Sequence, residues 1–188
     1  MLLLPIAFIS VFARAQVHFG VKGGYNLSTL IYSGTISLPG EQSMSGFNAG
    51  IYASIPISEN LSLVPEVIYS SQGARFQNNY ASGDLNYDYI NIPVLLRYKL
   101  SIGLYFETGL QMGILLSANE KSNGNTTDLM YQTYSQDFAW PMGLGYQFPN
   151  NHFGIDMRYN LGLINIRKSG SDENIKNSVF QFGLFYTF

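Results

Sequence analysis

The sequence predicts an all-β protein, a single eight-stranded antiparallel up-and-down transmembrane β-barrel. Large apolar residues alternate with small or polar residues in eight segments, which is the two-residue period of a β-strand. The connections between these segments alternate between tight turns and long polar loops. The polar face of the segments is poor in charge and rich in Gly, Ser and Asn. These three features together indicate a closed sheet with its apolar side towards lipid.

The first four segments set Val, Ile, Leu, Phe or Tyr against Gly, Asn, Ser or charged residues. They are 17–27 (VHFGVKGGYNL), 47–55 (FNAGIYASI), 61–70 (LSLVPEVIYS) and 89–100 (YINIPVLLRYKL). The second and third join through the turn-forming residues Ser58-Glu59-Asn60. Longer polar connections are predicted near residues 28–45 and 71–83.

The last four segments repeat the pattern. They are 104–115 (LYFETGLQMGIL), 137–148 (DFAWPMGLGYQF), 152–161 (HFGIDMRYNL) and 178–188 (SVFQFGLFYTF). Turns are predicted around Leu100-Ser101 and at Pro149-Asn150-Asn151, and long connections near 118–136 and 167–177. All tight turns therefore fall at one rim. The eighth strand is expected to pair with the first and close the sheet, with Phe185 packed inside.

A soluble lipocalin-like barrel has the same alternation, with the apolar face inside. The scarcity of charge on the polar face and strands of about ten residues favour the membrane barrel instead. Aromatic residues also collect towards strand ends, as they do at membrane interfaces. These residues are Tyr25, Tyr69, Tyr98, Tyr146, Phe148, Tyr159 and Phe188.

Composition and the first residues restrict the compartment and the partners. Charged residues are 12% of the 188, aromatic residues are 15%, the net charge is −2 and cysteine is absent. These values argue against disorder, nucleic-acid binding and thiolate metal sites. An apolar run followed by Ala13-Arg14-Ala15 predicts a signal peptide over 1–15, with the barrel domain over 16–188. A membrane-anchor helix is the weaker alternative, because the run is short and Arg14 interrupts it.

Six charged residues are predicted to face the lumen, and their signs balance. They are Lys22, Glu66, Arg97, Glu107, Asp156 and Arg158. An eight-stranded barrel is only wide enough for its own side chains, so a structural network of ion pairs is the leading interpretation. The alternatives are a narrow proton or ion path, or a catalytic carboxylate pair formed by Glu66 and Glu107.

A surface enzyme would carry its functional residues on the long-loop rim. The two histidines, His18 and His152, instead fall at the short-turn rim. No motif indicates a metal or another cofactor, and the sequence predicts a protein that is not an enzyme.

The final residues, Gln181 to Phe188, resemble the C-terminal assembly signal of bacterial outer-membrane barrels. That signal is carried here by Gln181, Gly183, Tyr186 and Phe188, and it implies recognition by the barrel-assembly machinery.

The stretches GVKGGYNLS, LVPEVIYSSQG and YINIPVLLRYKL followed by GLYFETG are similar to the outer membrane protein β-barrel domain family, which includes PorT-like proteins. The resemblance implies an integral protein of the bacterial outer membrane, surrounded by its lipid. It further implies a structural, interaction or secretion-accessory role in the envelope, with an envelope or secretion-complex protein as partner. A small channel is the alternative, and a loop-borne enzyme is a weaker one.

Overall fold

The computed structural model describes residues 16–33, 41–77, 82–122, 124–149, 152–168 and 174–188. These residues form nine strands: β1 His18–Ser33, β2 Glu41–Pro56, β3 Leu61–Gln77, β4 Ser82–Lys99, β5 Leu104–Ser122, β6 Asn125–Asp128, β7 Gln136–Gln147, β8 Phe153–Gly162 and β9 Asn174–Thr187. One turn of 3-10 helix lies at Met130–Gln132. The predicted signal peptide at 1–15 lies outside the described residues, as do Asn150 and Asn151 of the predicted turn.

Eight of the strands close into the predicted antiparallel ring, in the order β1–β2–β3–β4–β5–β7–β8–β9. The closing seam pairs β9 with β1 from Gly20↔Thr187 to Ser33↔Asn174. Closure gives each of these strands a neighbour on both sides, so the backbone groups are satisfied without water. Both predictions, of eight strands in the ring and of closure by the last strand, are confirmed.

The strands are longer than the sequence pattern predicted. Connections were expected near 28–45, 71–83 and 118–136, yet β1, β2, β3 and β5 continue well into these stretches. The third of them also contains β6, which forms a hairpin with the end of β5. The barrel wall therefore extends further than predicted on the side opposite the tight turns. We call this extended part of the wall the far end.

The part of the wall between the tight turns and the far end carries an apolar belt on its outer surface. On β5 the belt runs from Phe106 to Leu116; on β7 it begins at Phe138 and ends at Phe148, the residue after the strand. Such lengths match the nine to eleven residues that a tilted strand needs to cross the hydrocarbon. Polar atoms within the belt are paired locally: Trp140 donates from Nε1 to Thr108 Oγ1 (2.9 Å), and Thr108 donates to the Pro141 carbonyl (3.0 Å). No helix among the described residues has the length and hydropathy to cross a bilayer.

The hydrophobic pattern inverts at the far end. On β4, Ile90, Val94 and Leu96 face outwards in the belt, whereas Tyr87 and Tyr89 are buried inside. Leu30, Tyr87, Tyr89, Leu115 and Ile175 belong to one buried apolar cluster there. Water surrounds this part of the wall, so its apolar residues turn inwards as in a soluble barrel.

Aromatic rings lie across the lumen near its tight-turn end. Phe185, predicted to pack inside, is buried with its ring centroid 6.1 Å from those of Tyr52 and Tyr105. Space for its ring comes from Gly154 on the neighbouring strand, where an added Cβ would lie 2.1 Å from Phe185 Cζ. The rings therefore narrow the lumen here, and an open polar recess of about 420 Å³, with Tyr52 and Arg97 in its lining, lies at the rim itself.

Candidate functional site in the barrel lumen

The six predicted lumen charges come from five strands of the ring. Lys22 lies on β1, Glu66 on β3, Arg97 on β4, Glu107 on β5, and both Asp156 and Arg158 on β8. Each faces inwards, because it occupies the same side of its strand as the other buried residues. Five of the six are buried, and the Arg97 side chain is nearly so.

The structure joins the six residues into one unbranched chain of ion pairs. Lys22 Nζ lies 2.8 Å from Asp156 Oδ2 and 3.6 Å from Glu66 Oε1. Both Glu66 oxygens accept hydrogen bonds from Arg158 Nη1 and Nη2, at 2.7 and 3.0 Å.

Arg158 extends the chain to a second carboxylate. It donates from Nη2 and Nε to Glu107 Oε1, at 2.6 and 3.0 Å. Arg97 donates to the other oxygen of Glu107, Oε2, at 2.8 and 3.0 Å. The order is thus Asp156, Lys22, Glu66, Arg158, Glu107, Arg97, with the sign alternating at every step.

The register explains how residues on separate strands meet. Arg97 and Glu107 are direct cross-strand partners on β4 and β5. Arg158 reaches Glu107 across β7, where the residue paired with both of them is Gly143. Because Gly143 has no side chain, the guanidinium crosses the intervening strand unhindered. Gly183 has a comparable place beside Asp156, since an added Cβ there would lie 2.5 Å from Asp156 Oδ1.

Charge balance makes this network tolerable in a packed interior. Three cations face three anions, and Arg158, only 1% exposed, binds two carboxylates through paired hydrogen bonds. Charged hydrogen bonds of this kind offset the cost of removing the groups from water. Arg97 is also covered by aromatic rings, with its Cζ 4.2 Å from the Tyr105 ring centroid.

A layer of amides lies beside the ion pairs and was missed in the sequence. Asn26 donates to Ser70 Oγ (2.9 Å) and to two backbone carbonyls. Its own Oδ1 accepts from Asn48 (2.7 Å) and from Gln181 (3.0 Å). The detectable signal was the amide at an inward position on each of these three strands.

The residues of the proposed assembly signal divide between the two faces of β9. Gln181 lies in the lumen, and Gly183 makes room for Asp156, as described above. Tyr186 packs against Phe153 and Phe188, with ring centroids 4.8 and 5.6 Å away. The Phe188 backbone donates to the Phe19 carbonyl (2.8 Å) and so belongs to the closing seam.

Three further observations concern catalysis and metal binding. Both oxygens of Glu66 and of Glu107 are engaged by guanidinium groups, so neither carboxylate is placed to act as a general base. His152 lies at the tight-turn end, with its ring stacked on Tyr186 at 5.7 Å. Within the described residues, no group of three or more His, Asp or Glu side chains is arranged to hold a metal ion.

An outward apolar belt, a closed ring and a lumen crossed by a charge-balanced network define an integral membrane β-barrel. A sequence model of the family described as "Outer membrane protein beta-barrel domain" matches residues 12–168. The chain belongs to this family, and its location is the bacterial outer membrane. No curated protein gives a significant sequence match.

Solved structures with this fold are also outer-membrane barrels. Ail, the attachment invasion locus protein of Yersinia pestis, is 19% identical with a TM-score of 0.53, covering 92% of this chain and 99% of its own. Neisserial surface protein A (NspA) is 14% identical with a TM-score of 0.58, covering 90% of this chain and 97% of its own. At these identities, the similarity shows a shared fold and nothing about function.

Proposed function

We propose that this protein is a non-enzymatic outer-membrane barrel that binds an envelope or secretion-complex protein, in a structural or secretion-accessory, PorT-like role. The observation that carries the proposal is the lumen. The six charges of its ion-pair chain balance, and Tyr52, Tyr105 and Phe185 lie across it near the tight-turn end. A barrel with such an interior acts through its surface rather than by conduction or catalysis.

The proposed binding surface is the far end, which we place on the outside of the cell. Its wall extends past the apolar belt to the tip of the β5–β6 hairpin, and the chain then runs back along β5 to the 3-10 helix, which follows Leu129 at the level of Ala118. Tyr131, in that helix, is 91% exposed. Exposed tyrosines of this kind are favourable contact residues for protein partners. In its assembly, the barrel is proposed to be recognised through Gln181, Gly183, Tyr186 and Phe188.

Site-specific photo-crosslinking in native outer membranes tests the binding proposal. A photoreactive amino acid at Tyr131 is expected to capture a discrete protein adduct. The matched control is Ile102, which is 68% exposed in the turn at the opposite end. Adducts at Ile102 alone would move the binding surface to the tight-turn end. Adducts at neither position would contradict a stable protein partner at either end.

Conductance distinguishes the proposal from the small-channel alternative. The purified barrel in planar lipid bilayers is expected to show no stepwise ionic conductance, because Arg158 and its two carboxylates cross the lumen. A porin measured in the same bilayers serves as the positive control. Reproducible conductance steps with the wild-type protein would instead establish a channel, provided that substitutions which block the lumen abolish them.

A further inference from the structure

A second site lies at the far end, inside the part of the wall that extends beyond the apolar belt. It is a cavity of about 300 Å³. Most of its lining is apolar, with Leu30, Leu85, Leu129, Ile166 and Ile175 among the contributing residues. Its volume is at the lower end of the range for small-molecule sites, about 300–1,000 Å³.

The wall of the cavity is held by backbone hydrogen bonds, including the part where β8 has already ended at Gly162. There the chain before β7 and the chain after β8 replace regular strands. Tyr134 N donates to Ile166 O (2.8 Å), Ile166 N to Ile175 O (2.9 Å) and Lys168 N to Gln132 O (2.8 Å). Leu129 N donates to Ala118 O (2.8 Å) on the other side. The cavity is therefore preformed.

The cavity ends within the barrel. Tyr89, Leu115 and Ala118 are buried in the apolar cluster that surrounds it. Deeper in the lumen lie the amide layer around Asn26 and the chain of ion pairs. A molecule entering from the far end thus finds a binding site with a closed floor rather than a path across the membrane.

The polar groups of the cavity are of mixed character and include the side chains of Gln132 and Thr133. Tyr87 lines it and is only 7% exposed, and none of the described residues forms a hydrogen bond with its hydroxyl group. Arg167 and Glu120 also line it, with opposite charges. Together they supply hydrogen-bond donors and an acceptor without net charge, which suits a neutral polar group better than an ion.

We propose that this cavity binds a small amphiphile with one short alkyl chain and a neutral hydrogen-bonding end, such as an alkanol. The chain occupies the apolar space between Leu30, Ile166 and Ile175. The hydroxyl end meets Tyr87, Arg167 and Glu120. The site is independent of the protein-binding role proposed above, since it lies inside the wall.

Photolabelling of the full barrel in lipid nanodiscs tests the site. The probe is decanol with a diazirine on its chain, and labelled peptides are identified by mass spectrometry. Two labelled regions are expected: the cavity residues, and the lipid-facing belt around Leu110 and Leu184, because the probe also enters the bilayer. Excess unlabelled decanol is expected to reduce cavity labelling about tenfold, as for a saturable site, and to leave the belt labelling nearly unchanged.

Two variants and one comparison probe complete the test. Ile175→Trp, which fills the cavity, is expected to abolish cavity labelling, whereas Leu184→Trp on the lipid face leaves it intact. Unlabelled cavity peptides in the wild-type protein, or cavity labelling that excess decanol does not reduce, would overturn the site. Equal labelling by the matching diazirine carboxylic acid would overturn the neutral end. The competition experiment needs only wild-type protein, so it decides the matter even if Ile175→Trp does not fold.

Discussion

Arg158→Met is expected to destabilise the folded barrel by about 3–5 kcal/mol, because it leaves two carboxylates buried without their cation. Arg158 forms four hydrogen bonds with Glu66 and Glu107, and all three side chains are buried. The measurement is the urea midpoint of unfolding in lipid vesicles, followed by fluorescence of the single tryptophan, Trp140.

The alternating order of charges provides a sharper version of this experiment. Glu66→Gln combined with Arg158→Met removes one anion and one cation. The remaining four residues form two neutral pairs, Lys22 with Asp156 and Arg97 with Glu107, each at 2.8 Å. The double variant is therefore expected to be more stable than Arg158→Met alone, which a double-mutant cycle measures.

A matched control lies outside the lumen. Arg75 pairs with Asp84 at 2.7 Å, but its side chain is 53% exposed, so Arg75→Met is expected to change the midpoint little. If Arg158→Met also left the midpoint unchanged, the lumen network would have no structural role. If the double variant were no better than the single one, the alternating pairing would be wrong.

Leu110→Arg is expected to destabilise the barrel in lipid by about 2–4 kcal/mol, the cost of an arginine near the bilayer midplane. Leu110 lies in the middle of the belt on β5, and it is 68% exposed on the outer surface. In a soluble barrel the same change would be a harmless exchange of a surface residue. Unfolding of variants folded into vesicles measures the difference.

The control for this second experiment is Tyr131→Arg. Tyr131 is still more exposed than Leu110, but it lies at the far end beyond the belt. The substitution is expected to be neutral, because water already surrounds the site. Equal stability of Leu110→Arg and wild type would contradict the assignment of the belt to lipid.

The sequence was sufficient for the fold because one face of each strand must meet lipid. Period-2 alternation assigns every residue to a face, and the tight turns fix the neighbours of most strands. The same rule placed Lys22 and Arg158 inside. It could not say which charges pair, since Arg158 meets Glu107 only through the register of β7, with Gly143 between them.

The sequence pattern failed at the far end for a specific reason. The apolar residues there change face, because the outer surface meets water instead of lipid. On β4 the change falls between Tyr89, which is buried inside, and Ile90, which faces outwards in the belt. On β9 it falls between Val179 and Phe180. Adjacent apolar residues of this kind break the alternation and resemble the end of a strand, although the strand continues.

The extended wall also sets the height of the loops. β4 runs from Ser82 to Tyr89 before its belt residues begin at Ile90. A strand tilted by about 45° advances roughly 2.4 Å along the barrel axis per residue, so this stretch rises about 20 Å. The polar headgroup layer is only about 5–8 Å thick on each side of a bilayer. The wall thus raises the tip of the β5–β6 hairpin, where Ser122 pairs with Asn125, beyond the lipid headgroups, where a large soluble molecule can reach it without touching the membrane.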